Sequence, residues 1–392
     1  MRQSIYLAYK YISFHKTRSI VLIFSLSIII YLPNGLKKLI IKSEAQMIKR
    51  AEATPLIIGA KGSSTDLVIN TLYFQQEKTA SITMEALAKL NTTGFGYAIP
   101  VLSMFSARNF PIVGTDLDYF NFRKLELLSG RWMSFVGECV IGSLVAEKLD
   151  IGVGDSLVSS PENFFDLAGV YPLKMNVVGV LEPAYSPDDQ AVFVDIKTNW
   201  VIMGLGHGHE DLAQTNDPTI VLERESTEVK AGAKLYMYNT ISRENMDNFH
   251  FHGDVSSYPL SSLIFVPNDH KSETILRGRY ASGEFEEQVI VPADVVNNLL
   301  QRIFRIKQVF DTVFILVGVS TLLILGLIVA LSVRLRKNEI YTMFAIGSSR
   351  GKVVEIIACE LLILTGNSLF LAGILYSITG FFVEDFIQNI IL

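Results

Sequence analysis

Charge and cysteine are both scarce in this sequence. Charged residues fill 19% of its 392 positions and the net charge is only −5, so no strongly charged surface points to a polyelectrolyte partner. No basic cluster carries interleaved aromatic residues, which leaves nucleic-acid binding without an electrostatic footprint. There is no G-x-S-x-G elbow and no H-E-x-x-H helix, so neither a serine hydrolase nor a zinc protease finds its constellation. The nearest approach to a phosphate-binding loop, Gly347 to Val353, is one residue short between its glycines. It also has Val353 where Mg²⁺ binding needs Ser or Thr. ATP would therefore have to be used by a separate subunit, and no cofactor is expected in this chain. The acidic pair Asp188-Asp189 stands in a Ser-Pro turn, where carboxylates are expected to face water.

Apolar residues are abundant instead. They make up 49% of the chain, and the mean hydropathy is +0.35, too apolar for an ordinary soluble enzyme and too charged for an all-membrane bundle. A bilayer core of about 30 Å needs about 20 apolar helical residues. Three uncharged stretches approach that length: Ser19 to Leu36, Thr312 to Val333 and Leu361 to Val383. The first follows Arg2, Lys10, Lys16 and Arg18 like a secretory signal, but no small-x-small cleavage site follows it, and it reads as a retained anchor. Arg334, Arg336, Lys337, Arg350 and Lys352 crowd the connection between the second and third stretches, whereas only Glu384 and Asp385 follow the third. The positive-inside rule then places that connection and the N-terminus in the cytoplasm, and the long middle segment outside. Cys139 and Cys359 fall in different compartments under this topology, so they cannot form a bridge and read as small apolar fillers.

The expected organisation is a cytoplasmic segment over 1–18, a first span over 19–36, an extracytoplasmic domain over 37–308 and a second span over 309–333. A cytoplasmic loop over 334–353, a third span over 354–383 and a tail over 384–392 complete it. Leu36, Leu39, Ile40 and Met47 continue the first span at helical spacing, and Val296, Leu299, Leu300, Ile303 and Phe304 lead into the second. These are two helical stalks or two surface helices of the domain. Between them, short apolar runs separated by Gly, Pro, Asn and Asp predict strands over 98–105, 110–113, 138–142, 175–181, 191–195, 219–222, 234–238, 263–266 and 288–291. Helices are predicted over 83–90 and 143–149, which makes the domain α+β.

Residues Gly137 to Leu157 read as a buried strand, a turn at Gly142, one amphipathic helix, a turn at Gly152 and Gly154, and a second strand. With Val113 to Asp116 and Leu128 to Arg131 before it, and Val177 to Leu181 and Ala191 to Asp195 after it, this order resembles the periplasmic core domain of MacB-type permeases. Residues Arg334 to Glu360 resemble the cytoplasmic loop of FtsX-like permeases, with Arg336, Glu339, Ala345, Gly347, Arg350 and Glu360 at the matching positions. The resemblance implies a membrane α-helical protein with three predicted spans and a large extracytoplasmic α+β domain of MacB periplasmic type. It implies a permease of an ABC transport system in the cell membrane, partnered by an ABC ATPase subunit and working on an external domain by mechanotransmission.

Arg336, Glu339, Met343, Phe344, Gly347 and Arg350 are the candidate ATPase-coupling residues; a basic amphipathic loop lying on the inner membrane surface is the alternative. The family has four spans and this chain three, so a fourth helix is supplied elsewhere, dispensed with, or cut off by truncation. Gly366, Gly373 and Gly380 recur every seven residues and strip one helix face of bulk, which predicts close packing on another helix, in this chain or in a homodimeric or heterodimeric partner.

Five of the six histidines lie in the middle segment, and His207, His209, His250 and His252 form two H-x-H pairs. Alternate residues of a strand share a face, so each pair could offer two imidazoles to Zn²⁺, with Glu210 or Asp254 as an oxygen donor. The glycine-rich run Gly204 to Gly208 suggests solvated loop histidines instead. The rival to the permease reading is a membrane-anchored sensor or assembly protein that binds a ligand, a metal or a periplasmic partner and transports nothing.

Overall fold

Apolar runs without polar alternation are the pattern of strands covered on both faces, and the longest runs of the middle segment form such a sheet. The computed structural model describes residues 2–75, 80–160, 172–208, 221–224, 229–231, 239–241, 249–251, 253–335 and 337–390. Its strands are β1 (Leu56–Gly59), β2 (Ile82–Thr83), β3 (Gly96–Ala107), β4 (Phe110–Thr115), β5 (Leu127–Gly130), β6 (Glu138–Ile141), β7 (Ser156–Val158), β8 (Leu173–Leu181) and β9 (Val192–Asp195). These are followed by β10 (Gly206–Gly208), β11 (Val221–Arg224), β12 (Val229–Ala231), β13 (Asn239–Thr240), β14 (Phe249–Phe251), β15 (Pro259–Leu260), β16 (Ser262–Pro267) and β17 (Gln288–Ile290). Its helices are α1 (Arg2–Phe14), α2 (Lys16–Glu52), α3 (Ser64–Tyr73), α4 (Met84–Thr92), α5 (Leu117–Arg123), α6 (Ser143–Leu149), α7 (Ile196–Ile202), α8 (His270–Ala281), α9 (Pro292–Leu335), α10 (Lys337–Ala345) and α11 (Arg350–Ile390). The chain divides into two units, one of residues 46–299 and one of residues 1–45 with 300–391.

In the unit of residues 46–299, an 11-stranded mixed sheet runs in the order β13-β8-β6-β9-β4-β3-β16-β1-β17, with β5 and β7 paired to β8. The pairs β4–β9 and β6–β8 are parallel, and β3–β4, β6–β9 and β3–β16 are antiparallel. Successive side chains enter opposite cores. Val113, Val140, Phe193 and Ile264 join Tyr119 and Phe120 of α5 on one face. On the other, Ile112, Cys139, Ile141, Val192 and Val194 pack with Val145 of α6, while Leu263 and Phe265 pack with Leu90 of α4, Trp200 of α7 and Leu276 of α8. Each fully buried side chain of this size contributes about 1.5–3 kcal/mol. Cys139 is one of these core residues, and burial pushes its thiol pKa up, consistent with a packing role.

The expected strand-turn-helix at 138–149 is β6, Gly142 and α6. Gly142 is there because nothing larger fits: its N–H donates to the Ala191 carbonyl at 2.9 Å, and an added Cβ would stand 2.3 and 2.4 Å from the carbonyl oxygens of Asp189 and Asp188. Of the remaining expected strands, 219–222 only overlaps β11, and 234–238 lies outside the described residues.

In the unit of residues 1–45 and 300–391, α1 packs against α11, and α2 meets α11 through three polar contacts, one of them from the Lys38 amino group to the Tyr376 carbonyl at 3.2 Å. The Ser27 hydroxyl donates to the Ser368 carbonyl at 3.0 Å, and the Tyr31 and Thr379 hydroxyls share a hydrogen bond of 2.5 Å. Among the described residues two helices are long and apolar enough to cross a membrane, Lys16–Glu52 and Arg350–Gly380, not the three expected. The stretch expected as the second span lies within α9, where the described apolar segment is the shorter Thr312–Ile324. α11 also continues to Ile390, past the expected boundary at 383. Pro33 lies inside α2 without ending it.

Gly142→Ala is expected to force the β6–α6 turn off the carbonyls of residues 188 and 189 and to lower stability by about 1–3 kcal/mol, the usual range for overpacking. Chemical denaturation followed by tryptophan fluorescence reads this; an unshifted midpoint would show that the turn has room to spare.

Candidate functional site

The last turns of α2 enter the domain core through one guanidinium. Arg50 Nη1 and Nη2 donate to the two carboxylate oxygens of Asp188 at 2.7 and 3.0 Å, a bidentate pair whose side chains are 8% and 2% exposed. Its Nε donates to the Leu72 carbonyl at 2.6 Å, Nη2 also reaches the Tyr119 hydroxyl at 3.1 Å, and the guanidinium carbon lies 5.7 Å from the centre of the Phe74 ring. The Tyr119 hydroxyl and the Ser186 hydroxyl each donate to Asp188, at 2.7 and 2.8 Å. The Tyr73 hydroxyl donates to the Met47 carbonyl one turn earlier in α2. A planar fork with five donors suits this cradle; a lysine would satisfy one oxygen and leave the rest unpaired.

The electrostatics follow from burial in company. Burial alone would neutralise both partners. Arg50 nevertheless holds the Asp188 carboxyl well below the usual carboxylate range, with Arg123 and Tyr119 adding to the effect. Asp188 in turn raises the Arg50 pKa against its own desolvation. Burial, then the charge of Asp188, pushes the Tyr119 phenol up to about 12, and burial does the same for Tyr73. Arg123, at the end of α5, stacks over the rings of Phe122 and Tyr119 at 4.9 and 5.7 Å; burial first and Arg50 second lower its pKa.

Asp188 and Asp189 do not face water as expected, being 2% and 1% exposed. The sequence signal was present but local: Ser186-Pro187-Asp188-Asp189 forms a capping box on a 3₁₀ turn. Asp189 is spent on the backbone N–H groups of Ala184 and Ser186 and on the Ser143 hydroxyl at the start of α6. Nothing local marked Arg50 as the partner of Asp188, because it is one of five basic residues between 37 and 50.

The candidate coupling residues gather on one hairpin. Glu339, Met343 and Phe344 lie on α10, a helix with no buried residue, and Arg350 opens α11. Tyr341, Phe344 and Ile346 are 75%, 40% and 78% exposed, three large apolar side chains that the described residues leave open to the surface. The helix stops by a Schellman motif in which Ser348 N–H bonds the Met343 carbonyl and Gly347 N–H the Phe344 carbonyl, with Gly347 at φ +94°. Arg336 lies outside the described residues.

The helix-packing glycines have little to pack on within this chain. A Cβ at Gly366 or Gly373 would meet nothing within 4 Å, and Gly380 is covered by the Lys38 amino group. Of the candidate metal residues, His209 and His252 lie outside the described residues. His207 and His250 are backbone partners in the antiparallel β10–β14 pair, so Gly206–Gly208 is strand and not the loop that its glycines suggested. Asp254 is engaged in capping the following turn through the Ser256 N–H. Among the described residues no three His, Cys, Asp or Glu side chains come together as a metal site.

The profile of the MacB-like periplasmic core domain family matches residues 21–231, more than half of the chain. The chain belongs to the MacB-like periplasmic core domain family. A Bacillus subtilis (strain 168) protein, "Uncharacterized ABC transporter permease YclI", is 25% identical over 268 residues, which are 67% of this chain and 47% of that protein. The chain thus spans about half the length of this relative. Among solved structures, the periplasmic region of MacB from Actinobacillus actinomycetemcomitans is similar at 11% identity and a TM-score of 0.36, covering 65% of this chain and 95% of that one. The extracellular domain of the noncanonic ABC-type transporter YknZ from Gram-positive bacteria is similar at 14% identity and a TM-score of 0.33, covering 60% of this chain and 99% of that one.

Removing one partner of a buried pair leaves a desolvated charge, so Arg50→Met or Asp188→Leu alone is expected to lower stability by about 3–5 kcal/mol, and the double variant by much less. Because Asp188 has a depressed folded-state pKa, its contribution is complete above the unfolded-state value of about 3.9 and disappears as pH falls through the folded value. Urea midpoints of the full chain in detergent between pH 6 and pH 2 should fall more steeply for the native chain than for the double variant. Parallel curves would refute the pairing energy.

Proposed function

We propose that this chain is the permease subunit of a MacB/FtsX-type ABC transport system, converting ATP hydrolysis by a separate ATPase into movement of an extracytoplasmic domain. The reading has the chain in the cell membrane with its N-terminus and the α10–α11 hairpin in the cytoplasm, and residues 46–299 outside. Two copies, or this chain with a second permease, complete the assembly through the open faces of Gly366 and Gly373. ATP is consumed by the partner. A periplasmic partner protein and surrounding lipid complete its contacts.

One observation carries this reading: the profile of the MacB-like periplasmic core domain matches residues 21–231, a match that begins inside a helix long and apolar enough to cross a membrane. Within the domain, the buried bidentate pair of Arg50 and Asp188 admits few geometries and fixes the last turn of α2 on the turn Pro187–Gln190. A sensor needs only an anchor, for which no such fixed joint is required.

At the other end, α10 supplies what an ATPase groove takes, a short helix with exposed aromatic and apolar side chains and Glu339 in its first turn. Gly347 sets the corner and Arg350 the start of α11, so substitution of either re-aims the hairpin.

Glu339→Ala is expected to abolish stimulation of the co-purified ATPase by the permease while leaving its melting temperature unchanged, and Gly347→Val, strained at φ +94°, to abolish stimulation with a lowered melting temperature. Hydrolysis rates in nanodiscs measure this. Full stimulation in both variants would overturn the coupling assignment.

A further inference from the structure

Within the unit of residues 1–45 and 300–391, α2 and α11 are joined where the Ser27 hydroxyl reaches the Ser368 carbonyl and where the Tyr31 hydroxyl meets Thr379. The Tyr31 ring lies over Gly35, where an added Cβ would come within 2.9 Å of it. Beside this line of contact a groove of about 520 Å³ opens between the two helices, a volume in the range of ligand-binding clefts. Its two ends differ in chemistry. Ile30, Leu369, Ala372 and Gly373 line one end with apolar groups, and Lys37 and Lys38 stand at the other, about 10 Å further along α2 by the rise of a helix. The Lys38 ammonium lies 4.1 Å from the centre of the Tyr376 ring and donates to the Tyr376 carbonyl at 3.2 Å, so it is held in place. Lys37 is exposed. None of the described lining residues is acidic, and the first carboxylate in the sequence is Glu44, after both lysines.

We infer that this groove holds one anionic phospholipid, with its phosphate on Lys37 and Lys38 and an acyl chain along Ile30 and Leu369. The inference rests on the reading of α2 and α11 as membrane spans. Both lysines follow directly on the uncharged stretch 19–36, which sets them at headgroup depth, where long basic side chains keep their charge at the interface. An ammonium has three donors; Lys38 gives one to the Tyr376 carbonyl and keeps the others for phosphate oxygens. Basic pockets between membrane helices suit lipid headgroups for this reason. A free phosphate would satisfy the lysines and leave the apolar end unfilled, whereas a lipid satisfies both ends. Gly373 is shared with the face proposed for the second permease, so a helix of that partner is the competing occupant. Such a helix would have to bring a carboxylate to the lysines, which a phospholipid already supplies as phosphate.

The test is native mass spectrometry of the full chain in detergent, with phosphatidylglycerol and phosphatidylcholine of identical acyl chains as probes, on the native chain, Lys37→Gln, Lys38→Gln, Gly373→Leu and the control Lys16→Gln. The native chain should retain one phosphatidylglycerol, roughly tenfold or more in preference to phosphatidylcholine. Lys37→Gln, at an exposed position where folding is not at stake, and Lys38→Gln should each weaken retention about fivefold, the order expected of one basic residue facing an anionic lipid. Gly373→Leu fills the groove without changing its charge and should weaken both lipids. Lys16→Gln, exposed at the opposite end of α2, should bind as the native chain does. Equal retention of the two lipids, undiminished binding in Lys37→Gln and Lys38→Gln, displacement by glycerol phosphate alone, or a dimer free of lipid would overturn the groove assignment. Release of the chain from membranes by alkaline carbonate would overturn the reading of the spans and the groove with it; a chain that resists carbonate and fails the lipid test overturns the groove alone.

Discussion

A guanidinium that has left water needs a carboxylate at close range, and Arg50 finds its own 138 residues further along the chain. Much of the surrounding architecture serves that meeting. The aromatic residues of α5 wall it, the Leu72 carbonyl at the end of α3 accepts its third donor, and a capped 3₁₀ turn presents Asp188 from the edge of β9. An apolar plug at the end of α2 would have stabilised the fold as well or better, since desolvating two charges consumes most of their attraction. What the ion pair adds is geometric selectivity: oil-like contacts allow a helix to slide, whereas a two-pronged fork in a fully occupied cradle has one register.

That selectivity matters because of what lies behind Asp188. Its neighbour Asp189 binds Ser143, and the carbonyls of both residues close over Gly142, so the turn that holds Arg50 is also the seat of β6 and α6. The strand-helix-strand unit carrying the family resemblance is therefore one covalent step from the joint. With both faces of the sheet buried, the strands cannot adjust singly; close-packed interiors transmit displacement in place of absorbing it.

How much of this could be read in the sequence depended on range. The helix 143–149 was legible to the residue, and the runs around Ile99, Val113, Val140, Val177, Phe193 and Ile264 were legible as strands because burial on both faces leaves no polar alternation to confuse them. Charges were legible as signs and not as pairs. Arg50 looked like one more basic residue flanking a span, and Asp188 like a solvated turn residue, since local pattern holds no information about a contact made through the tertiary fold. The second expected span lies inside the 44-residue α9, whose described apolar part is Thr312–Ile324. The histidines show the same limit in the strand direction. The backbone partner of His207 is set by register, which only the pairing of β10 with β14 reveals.

Several of the domain's polar side chains are invested in joints. Arg50–Asp188 ends the first long helix, the Arg131–Glu138 pair clamps the approach to β6, and Asp189 ties the 3₁₀ turn to α6. These joints lie beside β6 and β9, whose pairings with β8 and β4 are parallel. By contrast, α10 keeps no buried residue and Gly366 and Gly373 keep open space beside them. A chain built to bind one small molecule would concentrate its polar groups in a cavity. One that hands a displacement from helix to sheet needs them at the junctions, with its unsatisfied apolar surfaces left at the two places where other subunits are proposed to attach.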